Sequence, residues 1–96
     1  MALKQTNITV GSTPILIANN DAKVGKVRYY IVNTGGTHDA FIGDSTVTSS
    51  TGYVIGKFQS TGVNNRFQID LYAGESLFAT CASGNTTTIT VLNAGS

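Results

Sequence analysis

Apolar residues in this chain come in short runs in which they alternate with polar residues, and the runs recur about every eight to twelve residues. This spacing is typical of antiparallel sandwiches and barrels, and no run has the 3.6-residue period of a helix. We predict about eight strands, at residues 6–10, 14–18, 26–33, 39–43, 53–55, 66–72, 77–82 and 86–92. The predicted fold class is therefore all-β, an antiparallel two-sheet β-sandwich of jelly-roll type.

Two of the long runs differ in how many of their faces are apolar. In residues 66–72, Phe67, Ile69 and Leu71 alternate with polar side chains, so we expect one buried face and one solvated face. In residues 26–33, large side chains occupy both faces, so we expect a central strand.

The last two runs are separated by a Gly-Asn pair, which is typical of two-residue hairpin turns. We therefore predict that residues 77–82 and 86–92 pair with each other as a hairpin. In that register Phe78 shares a face with Ile89 and Val91, and we expect Ile89 and Val91 to point inward.

Two polar stretches predict surface loops, at residues 44–52 and 60–65. Hydroxyl side chains dominate the first of them, around a single apolar residue, Val47. Long loops in compact domains are common binding sites.

Composition limits both the size of the protein and its possible partners. Ninety-six residues support one hydrophobic core, and we divide the chain into an N-terminal arm, residues 1–5, and a single sandwich domain, residues 6–96. Charged residues make up 11% of the chain, and the net charge is +1. Because there is no basic run and no stretch of about 18 apolar residues, we predict no nucleic-acid partner and no membrane partner. The single cysteine excludes an internal disulfide.

Few residues have the character that catalysis or metal binding requires. His38 is the one histidine, and its neighbour Asp39 points to the opposite face if both lie in a strand. Asp39 and Asp44 form the best local pair of carboxylates for a cation, although two acids at a turn are mostly solvated. Cys81 lies among small residues and is expected in the core. We predict that the protein is not an enzyme, and that it has no catalytic residue, cofactor, metal site or small-molecule substrate.

Two groups of side chains suit binding as well as ordinary surface roles. Lys23, Lys26 and Arg28 form either a solvated rim or a contact for an acidic partner. Four tyrosines are either ordinary strand residues or platforms on which sugars stack. These tyrosines are Tyr29, Tyr30, Tyr53 and Tyr72.

The order of short motifs along residues 6–93 resembles that of small bacteriophage virion proteins. The motifs are Ile-Val-Asn-Thr-Gly at 31–35, Ala-Phe-Ile-Gly at 40–43, Val-Thr at 47–48, Leu-Tyr-Ala-Gly-Glu-Ser-Leu-Phe-Ala at 71–79, Ala-Ser-Gly at 82–84 and Thr-Ile-Thr-Val-Leu at 88–92. These are turn and core signatures without chemical specificity. The stretch at 56–65 is longer than the usual link before Ala-Gly-Glu-Ser.

The resemblance implies a structural virion protein of the kind found in capsid decoration (cement) proteins, head-fibre bases and related head or tail accessories. A decoration protein would bind the major capsid protein on the outer capsid surface, as a trimer on local threefold axes, and would be assembled into the virion in the host cytoplasm. The alternative is a receptor- or carbohydrate-binding module of a tail or head fibre.

Three segments are the expected protein contacts, namely the N-terminal arm, the first long loop and the second one. The contact residues we predict are Ala2, Leu3, Lys4, Ser45, Thr46, Val47, Thr48, Gly62, Val63, Asn64 and Asn65.

Overall fold

The computed structural model describes residues 4–20, 25–58 and 65–94, and these form eight strands and no helix. The strands are β1 (Lys4–Val10), β2 (Ile15–Asn19), β3 (Lys26–Asn33), β4 (Ala40–Gly43), β5 (Tyr53–Ile55), β6 (Arg66–Tyr72), β7 (Ser76–Thr80) and β8 (Thr87–Asn93). The predicted all-β fold class is confirmed.

The strands form two four-stranded sheets in which every pair is antiparallel. Sheet A has the order β1-β8-β3-β6, and sheet B has the order β2-β7-β4-β5. Each strand of the first half of the chain thus pairs with its mirror-image strand of the second half, β1 with β8, β2 with β7, β3 with β6 and β4 with β5. This nested pairing, wrapped into two sheets, is the jelly roll.

Successive side chains of a strand point to opposite sides of the sheet, so every second side chain of the sheet A strands points into the core. Ile31 on β3 and Ile89 on β8 are almost fully buried, and Leu71 on β6 is 3% exposed. The predicted central strand is confirmed, because β3 lies between β8 and β6. The core side chains come from both sheets and are Val10, Ile17, Ala18, Tyr29, Ile31, Ala40, Ile42, Ile55, Leu71, Leu77, Ala79, Cys81, Ile89 and Val91.

The predicted hairpin between the last two runs is wrong. β7 pairs with β2 and β4 in sheet B, whereas β8 pairs with β1 and β3 in sheet A, so the chain crosses from one sheet to the other between them. The crossing begins at Cys81, whose backbone N–H donates to the Gly11 carbonyl at 2.7 Å. In the two sheets, β7 and β8 each pair with two strands, whereas the hairpin that the Gly-Asn pair favours would pair them only with each other. The additional pairing favours the arrangement in two sheets.

Because the predicted hairpin is wrong, the predicted orientation of the β7 side chains is wrong as well. Leu77 and Ala79 are the buried apolar side chains of β7, Thr80 at its end is buried as well, and Phe78 is half-buried on the outer side. Ile89 and Val91 point inward as predicted.

Several strand bounds differ from the prediction by one or two residues. β1 begins at Lys4, so Lys4 and Gln5 of the predicted arm are paired with Asn93 and Leu92 of β8. β7 ends at Thr80, where the chain leaves sheet B for sheet A. The rest of the predicted arm, residues 1–3, lies outside the described residues.

Asn33 ties the two sheets together at one end of the sandwich. It ends β3 in sheet A and is fully buried. Its side-chain Nδ2 donates to the carbonyl of His38 at 3.1 Å and to that of Ile55, the last residue of β5 in sheet B, at 3.2 Å. Its Oδ1 accepts from the Gly35 N–H at 3.0 Å and from the Thr87 hydroxyl at 2.7 Å.

Candidate interaction surface

Charge is divided unequally between the two sheets. The four strands of sheet B contain no Lys, Arg, Asp or Glu. The strands of sheet A contain four cations and one anion, namely Lys4, Lys26, Arg28, Arg66 and Asp70. Since depletion of charge marks the centre of protein interfaces, sheet B is the sheet whose outer side is better suited to contact another protein.

The outer side of sheet B carries four large apolar side chains, which we call the uncharged face. They are Leu16 on β2, Phe78 on β7, Phe41 on β4 and Val54 on β5. The strand register places Leu16 beside Phe78 and Phe41 beside Val54. The apolar residues therefore extend across all four strands.

Two of the four side chains of the uncharged face are exposed, and the other two are partly buried. Leu16 is 43% exposed and Val54 is 37% exposed, while Phe41 and Phe78 are half-buried. The alternation of the strands forces these side chains outward, because their neighbours Ile42 and Ala79 fill the core. Contiguous exposed apolar side chains on a soluble domain often mark an interaction site.

The long loop at 44–52 borders the uncharged face. Its one apolar side chain, Val47, is only 4% exposed and packs over Gly43, the last residue of β4. A Cβ placed at Gly52 would lie 2.6 Å from the Cβ of Phe41 and 2.8 Å from Cγ2 of Val47. Val47 thus joins the loop to the sheet, and only glycine allows this close approach.

Hydrogen bonds within the loop hold its hydroxyl side chains in place. Oδ1 of Asp44 accepts from the backbone N–H of Thr46 at 2.9 Å and from its hydroxyl at 2.6 Å. These bonds favour the carboxylate and lower the pKa of Asp44 below its ordinary value. Thr48 accepts from the N–H groups of Ser50 and Thr51 through its hydroxyl oxygen. The loop is an ordered rim on the uncharged face.

The structure separates the predicted contact residues rather than bringing them into one site. Lys4 lies at the end of the sandwich where β1 begins, and the 44–52 loop follows β4 at that same end. Asn65 lies at the opposite end, where its carbonyl accepts from the N–H of Asn33 at 2.7 Å. Ser45, Thr46 and Thr48 are exposed, Val47 is buried, and Ala2, Leu3, Gly62, Val63 and Asn64 lie outside the described residues.

The residues of the uncharged face were not among the predicted contacts. The sequence does carry a signal for them, because the runs that become β2, β4, β5 and β7 have apolar residues at both parities and no charge. Such a run can be read either as a strand buried on both sides or as one with an apolar outer side. The wrong hairpin register placed Phe78 on the inner face of its strand, so an apolar outer side was not predicted.

The outer side of sheet A has a different character, since charged side chains are paired across its strands. Nε and Nη2 of Arg28 donate to the two carboxylate oxygens of Asp70 at 2.8 and 3.2 Å, and Nζ of Lys26 lies 3.5 Å from Oδ2 of Asp70. The Arg28 guanidinium holds the pKa of Asp70 below its ordinary value. Asp70 in turn raises the pKa of Arg28.

The structure does not bring the candidate catalytic and metal-binding side chains together in one site. The carboxylate of Asp39 accepts from the backbone N–H of Lys57 at 2.8 Å, and His38 is half-buried next to it. Burial raises the pKa of the Cys81 thiol, with a smaller contribution from the charge of Asp39. In the described ranges, no group of three or more His, Cys, Asp and Glu side chains is placed to hold a metal ion. Nor does the part of the chain that the structure describes include a helix suited by length and apolarity to cross a membrane.

No protein-family model, no curated protein and no solved structure matches the chain.

Proposed function

We propose that this protein is a structural component of a bacteriophage virion, a capsid decoration protein that binds the major capsid protein through the uncharged face and acts as a trimer. The observation that carries the proposal is the absence of charge from all four strands of sheet B, combined with apolar side chains on its outer side. An uncharged sheet face suits contact with a folded protein surface.

Two further features support the proposal. The chain resembles small phage virion proteins in the order of its turn and core motifs, from Asn-Thr-Gly at 33–35 to the Thr-Ile-Thr-Val-Leu of β8. The jelly roll is an architecture that viral capsid proteins share with lectins and cupins, which is an analogy of fold and not of site.

The energetics suit a protein that acts in many copies. Fully burying a Leu or Val side chain stabilises a complex by roughly 1.5–3 kcal/mol, so covering the exposed fractions of Leu16 and Val54 contributes about 1 kcal/mol each. A contact of this size is weak for one subunit. A trimer that engages three equivalent capsid sites multiplies it through effective concentration.

The proposal is tested by binding purified protein to phage heads that lack it and measuring occupancy by sedimentation. The double variant Leu16→Glu/Val54→Glu places two charges on the uncharged face, and we expect at least about a 10-fold loss of affinity because each carboxylate would be desolvated on binding. Both side chains are exposed, so the fold should tolerate the changes, and a thermal melt verifies this.

The matched control is Thr9→Glu, which adds a charge to an exposed position on the outer side of sheet A. We expect its occupancy to equal that of the wild type. Wild-type occupancy of the double variant, or no binding of the wild-type protein to the heads, would contradict the proposal. Sedimentation of the free protein as a strict monomer at high concentration would contradict the trimer.

A further inference from the structure

The outer side of sheet A contains an open groove of about 630 Å³ along its two central strands, β3 and β8. Its volume falls in the range of small-molecule sites, which is about 300–1,000 Å³. The side chains that face it from three neighbouring strands are Tyr30, Val32, Arg66, Gln68, Thr90 and Leu92. The uncharged face lies on the other sheet, so both surfaces can be occupied at once.

An exposed aromatic ring forms part of the groove. Tyr30 is 40% exposed, and the register places it between Leu92 on β8 and Gln68 on β6. Tyr30 and Arg28 lie two residues apart on the outer side of β3, and Arg28 is fixed by two hydrogen bonds to Asp70. The Tyr30 ring therefore presents an apolar surface on the outer side of the sheet, next to a charged pair.

Polar groups surround the ring, and one of them is an uncompensated cation. Arg66 lies opposite Val32 and forms no ion pair with any residue in 4–20, 25–58 or 65–94. Gln68 contributes an amide, and Thr90 contributes a hydroxyl that already donates to Oδ1 of Asn7 at 2.8 Å and so accepts from a ligand. The groove combines an apolar floor, neutral hydrogen-bonding groups and one positive charge.

The position of the groove decides what can occupy it. β3 and β8 each pair with neighbours on both sides, so their backbone groups are used within the sheet and a peptide cannot bind there by strand addition. Recognition must come from side chains. A pyranose ring offers an apolar C–H side to a tyrosine ring and hydroxyls to an amide and a threonine, and a carboxylate on the sugar pairs with a guanidinium.

We propose that this groove binds an acidic saccharide, with the sugar ring stacked on Tyr30 and its carboxylate paired with Arg66. The inference goes beyond the proposed virion role and does not depend on it, because it concerns the opposite sheet and the isolated protein.

The test is titration of the purified protein with 3′-sialyllactose, a hyaluronan tetrasaccharide and neutral lactose, followed by tyrosine fluorescence and calorimetry. We expect saturable binding of at least one acidic sugar, weakened at least about 10-fold by Tyr30→Ala through loss of the stacked ring. Arg66→Gln should remove the preference for the acidic sugar and leave the weak binding of lactose unchanged.

Tyr72→Ala is the matched control, since Tyr72 is 56% exposed on the outer side of the same sheet but does not line the groove. It should bind the acidic sugar as the wild type does. Three results would overturn the inference: no binding of any acidic sugar at millimolar concentration, unchanged binding by Tyr30→Ala, or binding of an oligoglutamate peptide in preference to the sugars. None of these results bears on capsid binding.

Discussion

The Asn33 side chain provides a quantitative test of how the two sheets are held together. Its four hydrogen bonds join the end of β3 to the carbonyls of His38 and Ile55, the N–H of Gly35 and the hydroxyl of Thr87. Asn33→Ala removes all four and leaves their partners buried or partly buried without replacement. At roughly 0.5–1.5 kcal/mol for each bond, the expected loss is about 4 kcal/mol of the free energy of unfolding.

A loss of this size is a large part of the roughly 5–15 kcal/mol that stabilises a typical domain. Equilibrium unfolding in urea measures it, and with an m-value of about 2 kcal/mol per molar the midpoint should fall by about 2 M. Asn7→Ala is the matched control, because Asn7 is exposed and accepts one bond, from the Thr90 hydroxyl. We expect it to change stability by less than about 0.5 kcal/mol. If Asn33→Ala costs less than about 1 kcal/mol, the reasoning that Asn33 links the sheets is refuted.

Three other predictions follow from the packing and the pKa shifts. Gly52→Ala forces a Cβ against Phe41 and Val47 and should lower the free energy of unfolding in urea by about 1–3 kcal/mol. In the control Gly36→Ala the added Cβ meets nothing within 4 Å, so stability should hardly change. Equal losses for the two variants would contradict the packing of the loop. Because Arg28 depresses the pKa of Asp70, the stabilisation from this pair is present above the unfolded-state pKa of about 3.9 and is lost as the pH falls through the lower folded-state value. Urea midpoints between pH 2 and 7 should show a smaller acid-induced decrease for Asp70→Asn than for the wild type, and an identical decrease would be evidence against the pair. The buried Cys81 thiol should react slowly with a thiol reagent at pH 8 and rapidly after denaturation, and fast labelling of the folded protein would contradict its placement.

The sequence was sufficient to predict the fold class because strand periodicity is a local property. Residues 66–72 alternate cleanly, and β6 occupies that range with Leu71 buried. The central position of β3 was also predicted from its large side chains at both parities, although its outer face is not covered and Tyr30 there is 40% exposed.

Pairing between distant strands was harder to predict, because it depends on which partners are available and not on the run itself. The Gly-Asn pair after β7 has the composition of a hairpin turn, yet the chain there crosses between sheets. Gly84 does adopt a φ of +82°, so the local turn chemistry was recognised correctly while its role in the topology was not.

The candidate site was predicted only in part, for the same reason. The 44–52 loop was identified from its hydroxyl-rich composition, but Val47 packs under it and is not available as a contact. Leu16, Phe78 and Val54 come from three separate runs, and only the pairing of β2, β7, β4 and β5 brings them onto one surface. Each run shows an uncharged strand with apolar residues at both parities, but no single run shows that the outer residues of the four strands meet on one surface.

Cryo-electron microscopy of phage heads saturated with this protein tests the central claim most directly. We expect density for a jelly roll at regular lattice positions, with sheet B towards the capsid, Leu16 and Phe78 in contact with the major capsid protein, and the groove of sheet A facing outward. Density in which sheet A contacts the capsid and the uncharged face remains exposed would contradict the account, and so would heads that carry no added density.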